Sequence, residues 1–203
     1  MPAEILPTQS REIIVSYEQQ TSKDTAATVL RAGGVICYPT EAVHGLGCDP
    51  DNHSAVHRIL ALKQRAEEKG LILIADNFAQ LLPYVDENKI PMDKRAEIFS
   101  SWPAAITWAL PAKSSTPKWL TGTHSTIAVR VSAHPVVKQL CQQFGKPLVS
   151  TSANIAGQQP EATLDKVKAV FNDQIDFYVE GPLGGETKPS QIKGAFTTQL
   201  IRE

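Results

Sequence analysis

Cysteine is scarce in this 203-residue chain: Cys37, Cys48 and Cys141 are odd in number and never spaced C-x-x-C. That excludes a disulfide framework or a zinc knuckle and leaves reduced thiols in a reducing compartment as the expectation. No apolar run approaches the roughly 20 residues that a membrane-spanning helix needs. The stretch MPAEILPTQSREIIVSYEQQ lacks the basic segment followed by an apolar one that marks a secretory signal. A cytoplasmic protein with no membrane partner is therefore expected. Neither sign of charge dominates, with 20 Lys and Arg against 21 Asp and Glu. Holding nucleic acid mainly by the overall field requires a strongly basic balance, so only local basic patches stay open. Aromatic residues, at 6%, are few for a reader of single-stranded RNA, which stacks bases on aromatic platforms.

Several familiar site motifs are missing too. Gly181-Pro-Leu-Gly184-Gly185-Glu-Thr-Lys188 fails as a P-loop because Glu186 stands where the second glycine must be. There is no G-x-G-x-x-G after a strand and no G-x-S-x-G elbow. His53 and His57 are four apart on an expected helix, a spacing that could hold zinc. The Glu of H-E-x-x-H is replaced by Ser54, so a solvated helix face is the better account.

What is present is ordinary globular composition, 42% hydrophobic and 20% charged. The length suits one large domain, with an N-terminal arm over 1–22 and the domain over 23–203. Buried-strand signals occur at Val35–Tyr38, Leu71–Ala75, Ile106–Leu110, Thr126–Val131, Pro147–Ser150 and Phe177–Val179. Helix signals occur at Thr25–Arg31, from Asp51 or Asn52 to Leu62, and at Lys94–Phe99, Pro135–Phe144 and Thr163–Phe171. Gly45-Leu-Gly47 reads as a glycine-rich loop. The alternation predicts a single-domain α/β fold, an open twisted mixed sheet flanked by helices, with ligands at the strand ends.

Four polar segments interrupt this pattern. Lys63-Gln-Arg65-Ala-Glu-Glu-Lys69 sets three cations between a helix and a buried strand. Arg offers a planar fork for phosphate oxygens and Lys a point charge. If the helix continues, Arg65 and Lys69 share a face; if the chain is extended, Lys63 and Arg65 converge. The alternative is a solvated basic helix end placed against the macrodipole. Lys146-Pro-Leu-Val-Ser150-Thr-Ser152-Ala-Asn154 leaves a strand with Ser150, Ser152 and Asn154 on one side. Those side chains could line a phosphate site or simply cap a turn. Thr40 and Glu41 end another strand beside the glycines. Arg130 lies inside an apolar strand and must meet a carboxylate, from the protein or from a substrate.

Taken together, YPTEAVHGLGCDP, LKQRAEEKGLILIA, SSWPAAITWALPA, WLTGTHSTIAVRV, GKPLVSTSAN and KPSQIKGAFTTQLIRE resemble the threonylcarbamoyl-AMP synthase family, the YrdC-like domain, most closely its short bacterial TsaC type. The resemblance covers residues 23–202. It implies a YrdC-like fold with a concave basic cavity. It also implies a nucleotidyltransferase activity: L-threonine, bicarbonate and ATP, with Mg²⁺ accompanying the ATP, give L-threonylcarbamoyladenylate and pyrophosphate. The product passes to a transferase complex that modifies the adenosine next to the anticodon of tRNAs reading codons that begin with A. The resemblance leaves room for weak tRNA binding.

Carried over position by position, Lys63 and Arg65 are the catalytic cations. Lys63, Arg65, Lys69, Thr126, Ser152, Asn154 and Arg202 bind ATP. Thr40, Arg130, Ser150 and Ser190 bind threonine, with Arg130 suited to its carboxylate. His44 replaces a common Tyr or Phe, Ala66 a common Pro, and Ala104-Ala105 a Gly-Pro pair, which bears on loop geometry rather than on charge. A noncatalytic RNA-binding module and a threonine-indifferent nucleotide hydrolase are the competing readings.

Overall fold

A computed structural model describes residues 25–196 and 200–202. The arm over 1–22 lies outside them. Nine strands form one mixed sheet: β1 (Ile36–Pro39), β2 (His44–Gly47), β3 (Ile72–Ala75), β4 (Ile106–Pro111), β5 (Thr126–Val131), β6 (Leu148–Ser152), β7 (Phe177–Tyr178), β8 (Gln191–Gly194) and β9 (Leu200–Arg202). Their order is β7-β1-β2-β6-β3-β5-β4-β8-β9. The helices are α1 (25–31), α2 (His53–Lys63), α3 (Met92–Ser100), α4 (Lys118–Thr121), α5 (Pro135–Phe144) and α6 (Leu164–Phe171). Among the described residues no helix is long and apolar enough to cross a membrane.

Local chemistry sets the helix ends. Asn52 accepts from the Ala55 amide, and Thr163 caps α6 by accepting from Lys166. Pro at the first position and Gly145 in the left-handed region frame α5. Gln64 closes α2 with φ 49°, so the chain leaves the helix immediately after Lys63.

Strand alternation divides the side chains between two faces. Leu46, Leu73, Trp108, Ile127, Val129 and Val149 pack with α2, α3, α4 and α6 into the larger core. On the other face α1 and α5 cover Ile36, Tyr38, Ile74, Leu148 and Phe177. The rest of that face carries Gly45, Ile72, Ala109, Thr126, Ala128, Arg130, Ser150 and Ser152, and it opens into a cavity. Small residues on uncovered strands create the hollow.

The expected loop at Gly45–Gly47 is instead strand β2, antiparallel to both β1 and β6. Glycine normally weakens a strand, yet here it lets neighbours approach closely. A Cβ on Gly47 would lie 2.7 Å from the Tyr38 ring and 2.8 Å from the Val149 carbonyl oxygen. Strands β8 and β9 and helix α4 carry no signal that the patterning above recognised.

Candidate functional site

The cavity has a volume of about 380 Å³. Thr40, Lys63, Arg65, Lys69, Thr126, Arg130, Ser150, Ser152, Asn154 and Ser190 all line it. Only Arg202 of the expected residues is not placed there. It lies on β9 with its Cα opposite that of Ile192, a lining residue, and its side chain is outside the described residues. Among the described lining residues are the cations Lys63, Arg65, Lys69 and Arg130 and no carboxylate.

Two arrangements of the cation cluster were open, and the left-handed turn at Gln64 decides between them. The helix stops, and a 3₁₀ turn over Glu67–Lys69 brings Lys69 back to the cavity. Arg65 donates to the carbonyl oxygen of Gly70 at 3.0 Å. Lys63, 3% exposed, donates its ammonium to the carbonyl oxygens of Ser152 at 2.5 Å and Asn154 at 2.7 Å. The two polar clusters are thus one unit, with the buried cation holding the loop after β6. Asn154 in turn donates its side-chain amide to the carbonyls of Ile155 and Gln158 at 2.9 and 2.7 Å. Lys146, adjacent in sequence to the second cluster, points elsewhere and binds Asp49 and Asp51.

At the other end, Thr40 donates its hydroxyl to the Val43 carbonyl at 2.7 Å. Arg130 meets a protein carboxylate: its Nη1 lies 3.6 Å from Glu41 Oε2, and both side chains are 9% exposed. Glu41 Oε1 accepts from the Ser132 hydroxyl at 2.5 Å. Burial pushes the Glu41 carboxyl up, but Arg130, Ser132, its own amide and His134 together hold it below the usual value of 4.5. The Arg130 Nε has no hydrogen-bond partner.

Sequence patterning missed the segment that walls this end. Gly184 donates its amide to the Thr40 carbonyl at 3.0 Å and Glu186 to the Glu41 carbonyl at 2.9 Å. The glycines rejected as a P-loop are therefore a strap across the Thr40–Glu41 turn. A Cβ on Gly184 would lie 2.8 Å from the Glu41 Cα, so only glycine allows this contact. Ser190 and Thr107 share a buried hydroxyl–hydroxyl bond of 2.9 Å, joining the strap to β4. Thr121 and His124 also line the cavity and had no signal in the sequence. His53 and His57 sit away from it, with His57 Nε2 3.2 Å from Glu67 Oε2.

An open sheet face whose hollow is lined by Lys63, Arg65, Lys69, Arg130 and short hydroxyls defines an α/β domain with a polar cavity among the described residues. A family model for Sua5, YciO and YrdC proteins, described as telomere recombination, matches residues 28–203. The threonylcarbamoyl-AMP synthase of Pseudoalteromonas translucida is 63% identical over 183 residues, 90% of this chain and 98% of that protein. The crystal structure of Escherichia coli YciO superposes with a TM-score of 0.79 at 25% identity, covering 91% of this chain and 89% of the other. P. abyssi Sua5 complexed with L-threonine superposes with a TM-score of 0.80 at 30% identity over 89% of this chain. This chain spans about half of that Sua5, 53%. The chain belongs to the Sua5/YciO/YrdC family.

Proposed function

We propose that this chain synthesises L-threonylcarbamoyladenylate from L-threonine, bicarbonate and ATP with release of pyrophosphate. The observation that supports this most is the convergence of the K-x-R segment, the S-x-N loop, Thr40 and Arg130 on one cavity. The name of the Pseudoalteromonas relative and the threonine held by P. abyssi Sua5 favour the same reading.

In this assignment Lys63, Arg65, Lys69, Thr126, Ser152, Asn154 and Arg202 face the nucleotide, making the cavity a basic receptor for the triphosphate. Thr40, Arg130, Ser150 and Ser190 face threonine. Threonine's amine and bicarbonate form a carbamate. Its oxygen attacks the α-phosphorus as the bond to pyrophosphate breaks. An anion approaching a polyanion needs charge neutralisation and alignment more than a general base. Lys69 supplies exposed positive charge and Arg65 a guanidinium anchored on the Gly70 carbonyl, while Lys63 adds a buried charge and holds the S-x-N loop in place. ATP arrives as its magnesium complex. The lining offers hydroxyl and amide oxygens rather than carboxylates, a donor set that leaves the metal on the phosphates, where it neutralises charge. The labile product then passes to a separate transferase acting on tRNA, in the cytoplasm.

Purified chain given ATP, Mg²⁺, threonine and bicarbonate releases pyrophosphate only when all four are present. Threonine-independent turnover, or no turnover, rejects the reading.

A further inference from the structure

The glycines of β2 differ in why they are glycine. Gly47 is demanded by the protein, because its Cβ would strike the Tyr38 ring and the Val149 carbonyl. Gly45 is not demanded. Its Cβ would lie 3.4 Å from Thr40 Cγ2, 3.4 Å from Tyr38 Cζ and 3.6 Å from Ser150 Oγ, all ordinary contacts. It is an ordinary strand position, paired with Tyr38 on β1 and Ser152 on β6. Gly45 nonetheless lines the cavity, between two residues assigned to threonine. The vacant volume above its Cα serves the ligand and not the fold.

We propose that Gly45 is a specificity-determining residue: its missing side chain leaves a slot for the methyl on threonine's β-carbon and so selects threonine over serine. The inference rests on the proposed function. The slot's walls match a carbon bearing one methyl and one hydroxyl. Thr40 presents its Cγ2 methyl, because its own hydroxyl is turned to the Val43 carbonyl. Ala42 and Val43 also line the cavity, the Tyr38 ring comes within 3.4 Å of the same point, and Ser150 brings a hydroxyl to 3.6 Å from it. Serine fills the same place without the methyl and leaves that volume empty. Filling or emptying one methyl's space changes discrimination by about 10- to 200-fold.

The test is Gly45→Ala, assayed by pyrophosphate release with threonine and with serine, alongside calorimetric binding of both amino acids. The expected result is a fall in kcat/KM for threonine of about tenfold or more, with serine much less affected, so the preference shrinks by at least about tenfold. The KM for ATP and the melting temperature stay at wild-type values. Thr40→Ser keeps the hydroxyl and removes the methyl wall, so the double variant recovers threonine use. A folded Gly45→Ala protein with the wild-type threonine-to-serine ratio, or with equal losses for both, overturns the inference. If that variant does not fold, Thr40→Ser alone decides: its wider slot must weaken the preference for threonine over β-hydroxynorvaline, and an unchanged preference overturns the inference. A wild-type chain that makes no adenylate yet binds threonine over serine would reject the proposed function and leave the Gly45 slot standing, since the binding ratio is read without turnover.

Discussion

Lys63 donates its buried ammonium to the main-chain carbonyl of Asn154 at 2.7 Å, tying the end of α2 to the loop that follows β6. Lys69, in the same cation cluster, is exposed and rests on a single 3₁₀ turn. The two lysines should therefore fail differently when replaced. Lys63→Met strands the carbonyls of Ser152 and Asn154 and should lower stability by about 3 kcal/mol as well as activity. Lys69→Met should lower activity about a hundredfold with stability within about 0.5 kcal/mol of wild type. Urea titrations beside pyrophosphate assays separate the two, and equal stability losses would contradict the distinction.

Arg130 and Glu41 form a buried pair whose charges depend on each other. Arg130→Met leaves the Glu41 carboxylate buried without its counter-charge, at about 3 kcal/mol. Adding Glu41→Gln to it should restore part of that loss, because no orphaned charge remains. Glu41 also sets an acid limit. Its carboxyl is held below 4.5, so the folded chain binds this proton less tightly than the unfolded chain does. The stabilisation is present above 4.5 and is lost as pH falls through the folded-state value. Glu41→Gln should flatten the acid limb of the stability profile, and an unchanged limb would exclude this role.

The parts of the fold that could be read from sequence are those whose periodicity is unbroken. Ile72–Ala75, Thr126–Val131 and Pro135–Phe144 carry apolar runs or stripes, with caps to end them, and local chemistry is enough. β2 was hidden because two of its four residues are glycines, Gly45 facing the cavity and Gly47 packed on Tyr38, which say loop when read locally and strand only beside β1 and β6. The site residues were legible as types but not as partners. Arg130 called for a carboxylate, yet nothing local distinguished Glu41 from a ligand. Lys63 read as a phosphate binder, whereas its contacts with Ser152 and Asn154 follow from tertiary packing across the sheet. The strap over Gly181–Gly185 was judged against a phosphate-loop template, while Gly184 answers to the close backbone of Glu41.

Gly122 fixes the 3₁₀ turn that carries Lys69. It adopts φ 61°, and a Cβ there would lie 2.3 Å from the Glu68 carbonyl oxygen. Gly122→Ala meets both backbone strain and a clash with main chain that cannot rotate away. The expected loss is about 2 kcal/mol or more, with a raised KM for ATP because the turn shifts. A variant with wild-type stability and wild-type KM for ATP would show that this contact does not hold Lys69.

His44, at a position where the resemblance implies a Tyr or Phe, has a measurable signature. It is buried at 5% exposure on β2, and its Nδ1 has no hydrogen-bond partner. Burial lowers its pKa below the ordinary 6.5, so the folded chain keeps the ring neutral where the unfolded chain begins to protonate it. The contribution is present in full above 6.5 and is lost as pH falls from there through the folded-state value, at up to about 1.4 kcal/mol per pH unit. Phe fills similar volume, carries no nitrogen to leave unpaired and cannot titrate. His44→Phe should therefore match or exceed wild-type stability at neutral pH, by about 1 kcal/mol at most. The two proteins should diverge further as the pH is lowered, with the variant ahead. Urea midpoints at about pH 7.5 and about pH 5.5 test this, since the gap between variant and wild type must widen at the lower pH. Parallel declines would mean that His44 keeps its ordinary pKa inside the fold, and the burial argument would fail.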